Sequence, residues 1–269
     1  MLTKLDVLVA VRLAIRARFA SFMLWLVLAL ATAVLLAANF SGRHPATLGL
    51  DLGLSLIRIA LPLLTVLLLQ VLVCREFDRK LYLTSLTYPR TRFHFLASRI
   101  AAIALLLLGA LAVLALLLAG LTHWISQGYV QSSPPALGWP YVVTIAFIAL
   151  DLFVLLAIGT LLGITASTPS FVLIGTLGFM VVARSYSAIV SLLENDPDLV
   201  KHADTYQSSL HALGYFLPDL AALDVRMIAL YGKWQFLPDD WAIRAAAVLA
   251  YAAALFGLAT WVLNKKKFA

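Results

Sequence analysis

Arg58, Asp151 and Arg184 each stand inside a long apolar run, and a charge in such surroundings needs a partner or a task. An unpaired carboxylate at the centre of a hydrocarbon layer costs at least about 2.5 kcal/mol even on insertion scales. Three chemistries suit an intramembrane aspartate: an ion pair with one or both arginines across helices, a proton relay, or a counter-charge for a substrate. The plainer alternative is that Arg58 and Arg184 snorkel to headgroups while Asp151 stays protonated.

Other reactive residue types form no recognisable constellation. The histidines at 44, 94, 123, 202 and 211 are scattered, and His202 and His211 lack a third ligand at zinc spacing. Cys74 is the only cysteine, which excludes an internal disulfide and a cysteine-built metal site. Four methionines in all give no support to a copper route. There is no nucleophile elbow and no His-Glu-x-x-His, so an intramembrane enzyme is not expected.

The elements that carry these residues follow from composition. Of 269 residues 63% are hydrophobic and 12% charged, where a soluble domain carries roughly 25% charged residues. Lipid is the expected solvent, and the reading is an all-α integral membrane fold with six transmembrane helices in a single domain. Spans are expected at about 19–38, 52–74, 100–121, 141–166, 170–192 and 243–263, each able to cross a hydrocarbon core of about 30 Å at 1.5 Å per residue. The first run is too long for a secretory leader and is expected to stay as an anchor.

The formal charge of +7 would suit nucleic acid, but its distribution argues for topology instead. Thirteen of the twenty Lys and Arg lie before the first span (Lys4, Arg12, Arg16, Arg18), between the second and third (Arg75, Arg79, Lys80, Arg90, Arg92, Arg99) and after the sixth (Lys265, Lys266, Lys267). With six spans these segments share one side. The positive-inside rule makes that side cytoplasmic and puts both termini there.

The opposite side receives loops at 39–51 and 122–140, rich in Gly, Pro and Ser, and an acidic stretch at 194–240. Within that stretch, residues 218–228 read as a short amphipathic helix opened by Pro218. Phe19, Phe22, Trp25, Trp124, Trp139, Tyr141, Trp241 and Trp261 fall near span ends, as an aromatic belt would. Gly159, Gly163, Gly175 and Gly178 are spaced to let the fourth and fifth spans approach closely.

The inner loop 75–99 is the most informative segment. From Cys74 it runs through Arg75, Glu76, Asp78 and Arg79, then Leu81, Leu83 and Leu86, to Pro89 and Arg92. Mixed charge followed by leucines and a closing proline predicts a short interfacial helix ending near Tyr88. Glu76, Asp78, Leu86, Pro89 and Arg92 resemble the inner-loop motif of permease subunits of type-2 ABC exporters, although Lys80 and Leu81 replace that motif's Gly-Thr pair. The basic leader Arg12, Arg16 and Arg18 looks like the elbow helix of the same family, and a long external segment before the last span matches its layout.

This resemblance implies a bacterial inner-membrane protein: a six-span permease that pairs with a second permease copy and, through residues 75–92, with a cytosolic ATPase subunit. It implies an N-terminal elbow helix, a cytoplasmic coupling helix and external helices before the last span. No Gly-x-x-x-x-Gly-Lys-Ser/Thr loop occurs in the chain. ATP and Mg are therefore expected on the partner, with no cofactor in this chain. Two other classes remain open: a membrane scaffold that binds a partner at the inner loop, and an ion-coupled carrier using Asp151. Carriers of that kind often carry inverted repeats, and none is evident.

Overall fold

The computed structural model describes residues 4–15, 19–42, 44–74, 92–128, 134–166, 168–195 and 217–265. Among the described residues every regular element is helical. They are α1 (Lys4–Ala14), α2 (Ala20–Phe40), α3 (Pro45–Leu69), α4 (Arg92–Gln127), α5 (Trp139–Thr165), α6 (Pro169–Asn195), α7 (Arg226–Tyr231) and α8 (Trp241–Lys265). A π-helical turn, Gln70–Cys74, extends α3, and a 3₁₀ turn, Trp234–Phe236, follows α7. Six helices (α2, α3 with its π turn, α4, α5, α6 and α8) are long and apolar enough to cross a membrane. That architecture is the one lipid demands, because a helix satisfies its own backbone groups where no water is present.

The sequence-predicted spans are shorter than the helices. Span two begins at Pro45 rather than 52, since a proline in the first helical turn gives up no hydrogen bond; the loop expected over 39–51 shrinks to the few residues before it. Span three runs from Arg92 to Gln127 rather than from 100 to 121. Arg92, His94, Arg99 and His123 ended the apolar count, but helices continue through such residues where their heads reach the interface. The inner-loop residues not taken up by α4 are thus 75–91, which lie outside the described residues.

α3 and α5 form the centre, with 61% and 56% of their most apolar windows buried, whereas α2 and α6 bury only 17% each and α8 22%. The largest core cluster joins α2, α3, α4 and α5 through residues such as Leu30, Leu54, Leu61, Leu114, Leu118 and Leu152. A second joins α5, α6 and α8 to the segment 217–228 through Leu155, Ala183, Leu220, Leu223, Ile228 and Val248. One end of the bundle carries Asp51, Asp219, Asp224 and Asp240; the other carries Arg92, Arg99 and Lys265. These are called below the acidic and the basic end. Helix α1 packs at the basic end, against α4 and the π turn.

The helix expected over 218–228 is a correction. Pro218 to Val225 is non-helical, with bends and one turn at 222–223, and the helix starts only at Arg226. Asp219 Oδ1 accepts from the backbone N–H of Ala221 and Ala222, and Asp224 Oδ1 from that of Arg226. Aspartates thus cap local turns instead of leaving the backbone to pair along a helix. Gly232, at φ 67°, closes α7 by donating its N–H to Ile228 O, and Ala136 N–H donates to Ala229 O at 2.9 Å. α7 is thereby tied to the entry of α5.

Tyr141 also departs from the expected aromatic belt. It is buried, and its hydroxyl donates to Ala115 O of α4 at 2.7 Å. Trp25, Trp124, Trp139, Trp241 and Trp261 are exposed. Tyr141→Phe keeps the ring and removes one interhelical hydrogen bond, which in membrane proteins contributes about 0.6–2 kcal/mol. A small fall in thermal stability in detergent, with unchanged insertion, is the expected result.

The glycines act individually. At Gly159 an added Cβ would lie 2.4 Å from Leu69 Cδ1 of α3 and 3.2 Å from Thr176 Oγ1 of α6. Gly175 meets Leu162 of α5, and Gly163 faces Val73 and Cys74 of the π turn. Gly178 has nothing within 4 Å, so it takes no part in the α5–α6 contact.

Candidate functional site

Arg58 lies two turns along α3 from Asp51, Asp151 lies midway along α5, and Arg184 projects from α6. Asp51, Ser55 and Arg58 are at i, i+4 and i+7, a spacing that puts them on one face of α3. The acidic segment before and within α7 supplies Asp224 and Arg226.

These residues form an alternating chain. Arg226 Nη1 is 3.0 Å from Asp51 Oδ1 and donates to Ser55 Oγ at 2.7 Å, and its Nε is 3.5 Å from Asp224 Oδ2. Asp224 Oδ2 pairs in turn with Arg58 Nη1. Arg58 Nη2 stands 3.9 Å from Asp151 Oδ2, which accepts from Arg184 Nη2. Three aspartates and three arginines leave the chain formally neutral.

Side-chain exposure falls from Asp51 to Asp151, 40% at Asp51, 36% at Arg226, 31% at Asp224, 10% at Arg58 and 2% at Asp151, and rises again to 21% at Arg184, the last member. The ladder therefore leads from the solvated acidic end to the interior of the bundle. Seven residues separate Asp51 from Arg58, about 10 Å of descent at 1.5 Å per residue. Charges so placed are held by pairing, because several kcal/mol of desolvation per ion must be offset by partners.

A proline creates one of the ladder's anchor points. Pro62, inside α3 and buried, has no N–H, so the carbonyl of Arg58 four residues earlier lacks its helical donor. Arg184 supplies the missing donors: Nη1 and Nη2 reach Arg58 O at 3.2 and 3.3 Å. The Arg184 guanidinium thus bridges a backbone carbonyl of α3 and a carboxylate of α5. Two buried hydroxyls are satisfied locally, with Thr65 donating to Leu61 O and Thr160 to Leu156 O, whereas Thr122 Oγ1 and Thr176 Oγ1 have no hydrogen-bond partner among the described residues. Asp151 Oδ1, Arg58 Nε and Arg184 Nε are buried and have no hydrogen-bond partner among the described residues.

Of the three intramembrane charges singled out in the sequence, all are brought together here. Asp51, Ser55, Asp224 and Arg226 were not singled out as site residues. The i, i+4, i+7 spacing on α3 was the available signal for Asp51 and Ser55. No sequence pattern reports that Asp224 folds back onto Arg58.

At the basic end Arg92 opens α4, and its Nη1 donates to Leu263 O at 3.0 Å and Asn264 O at 3.1 Å. A guanidinium on the last carbonyls of a helix satisfies groups that have no intrahelical donor and complements the helix dipole. Lys265 Nζ lies 4.3 Å from the Trp261 ring centroid. Arg12 is exposed on α1. Arg75, Glu76, Asp78, Arg79, Leu83, Leu86 and Pro89 of the expected coupling helix, and Arg16 and Arg18 of the expected elbow, lie outside the described residues. Among the described residues no group of three or more His, Cys, Asp or Glu is arranged to hold a metal ion.

No protein-family model matches the chain. No curated protein matches it either.

Proposed function

We propose that this chain is the membrane-spanning subunit of a type-2 ABC exporter, coupled through the segment 75–92 to a separate cytosolic ATPase and paired with a second permease copy. The basic end is then cytoplasmic, in a bacterial inner membrane, and ATP and Mg are bound by the partner. α1 serves as the elbow helix, and 217–236 is the external segment before the last span.

The supporting observation is the position of Arg92. The last residue of the inner-loop motif clasps the C-terminal carbonyls of α8, while the loop's other end continues from the π turn of the central helix α3. Force delivered to 75–91 would reach the centre of the bundle and its last span together. A scaffold that merely binds at this loop would not need both connections.

Affinity purification of the chain from its own host is expected to retain an ATP-hydrolysing, vanadate-sensitive subunit. Combining Glu76→Ala, Asp78→Ala and Arg79→Ala should lower the co-purifying ATPase at least about tenfold, the equivalent of 1.4 kcal/mol of binding, while membrane insertion is unchanged. Equal ATPase recovery with the triple variant, or labelling of 75–91 from outside the cell, contradicts the proposal.

A further inference from the structure

The inner part of the ladder is not balanced by itself. Arg58 and Arg184 share one intramembrane carboxylate, Asp151, so two guanidinium groups face a single aspartate. The balancing charge is Asp224, which belongs to no transmembrane helix and arrives on the turn before α7. That turn is held by the ion pairs of Asp224 and Arg226 and by apolar packing of Leu220, Leu223 and Val225. Arg58 and Arg184 also each keep a buried Nε–H with no acceptor. Against these two unused donors stands one unused acceptor, Asp151 Oδ1, so the site keeps a surplus of donors.

We infer that Asp224 is a tethered stand-in for the anionic group of a lipid-like ligand, and that the Arg58–Arg184 pair is an oxyanion site for a phosphodiester or similar monoanion. Arginine suits that task because its planar fork matches phosphate and carboxylate oxygens. When the Asp224 carboxylate swings off Arg58, the pair is left with one excess positive charge in an apolar setting, where an incoming anion replaces the departing carboxylate. The ligand is an amphiphile because the site opens sideways: the Arg184 side chain is 21% exposed, on a helix whose Val181, Val182 and Ile189 are exposed. A headgroup could enter beside α6 while its chains stay in lipid.

The inference deepens the export reading by naming a substrate class, but its binding test requires no ATPase. Loss of ATPase association would therefore bear on the export reading alone, and loss of anion binding on this one alone.

The purified chain in phosphatidylcholine nanodiscs is titrated with fluorescent phosphatidylglycerol. Asp224→Asn removes the tethered charge and nearly preserves shape. It should bind phosphatidylglycerol at least about tenfold more tightly than wild type, 1.4 kcal/mol, with no gain for labelled phosphatidylcholine. Adding Arg58→Gln should abolish the gain. Equal affinity in wild type and Asp224→Asn overturns the inference, as does an equal gain for phosphatidylcholine. Inorganic phosphate is the third arm: a gain for it without one for phosphatidylglycerol overturns the amphiphile assignment. If Asp224→Asn is not recovered folded, Arg58→Gln alone decides: it should weaken phosphatidylglycerol binding relative to wild type, and an unchanged affinity overturns the inference.

Discussion

Asp151→Leu is expected to destabilise the protein by about 3–5 kcal/mol, the range found when one member of a buried ion pair is removed. The carboxylate accepts from Arg184 and stands beside Arg58 in a site where its own side chain is 2% exposed. Deleting it leaves Arg184 with only the Arg58 carbonyl and sets two cations against each other. Water cannot fill the role freely in the interior of an apolar bundle. Unfolding in mixed micelles should register the loss as a lower midpoint and a smaller recovered fraction.

The compensating change separates this account from simple mispacking. Asp151→Leu combined with Arg184→Leu removes both charges and should recover part of the stability, since apolar replacement of a whole buried pair is often neutral but here leaves Arg58 O without the donors Arg184 gave it, at about 1–3 kcal/mol. Arg58 keeps Asp224 in that background. Arg184→Leu alone is the control for the lost donors to Arg58 O: if the two single losses simply add in the double variant, the carboxylate acts by shape or by another partner, and the ladder loses its central link.

Gly53→Val has the second large effect, at the crossing of α3 and α4. A Cβ built at Gly53 lies 2.2 Å from Leu118 Cδ1, 2.9 Å from Cδ2 and 3.2 Å from Cγ. Leu118 is fully buried, so its whole isobutyl group would have to move into occupied space. Overpacking of this kind costs about 1–3 kcal/mol, and van der Waals fit is the main force between helices in lipid. Gly109→Ala, on α4 with nothing within 4 Å of the added atom, is the control and should be neutral or slightly stabilising. Thermal melting of the two variants side by side checks the contrast; equal melting temperatures would refute it.

The legible and illegible parts of this molecule divide along physical lines. Six spans could be read because the solvent is lipid and the apolar run length reports the helix directly. Their ends could not, since Arg92, Arg99 and His123 belong to a helix that continues past the apolar run. Arg58, Asp151 and Arg184 were conspicuous because charge is rare in such runs. Asp224 was not, because in an acidic extramembrane stretch one more aspartate looks like solvated surface. Its role comes from tertiary placement, a turn closed by Asp219 and Asp224 where amphipathic spacing had suggested helix. The segment 75–91 carries a motif legible only as resemblance, and its residues lie outside those described.

Pro62 gives the ladder an unusual dependency. An imino acid, by withholding one proton, creates a vacancy in α3 that a residue 122 positions later in the chain fills. Restoring an ordinary amide at 62 would let the backbone reclaim that oxygen, so the cation on α6 would lose half its address without any charge being altered. The ring at 62 thus fixes where the guanidinium at 184 is useful, although the two share no charge and sit on different helices.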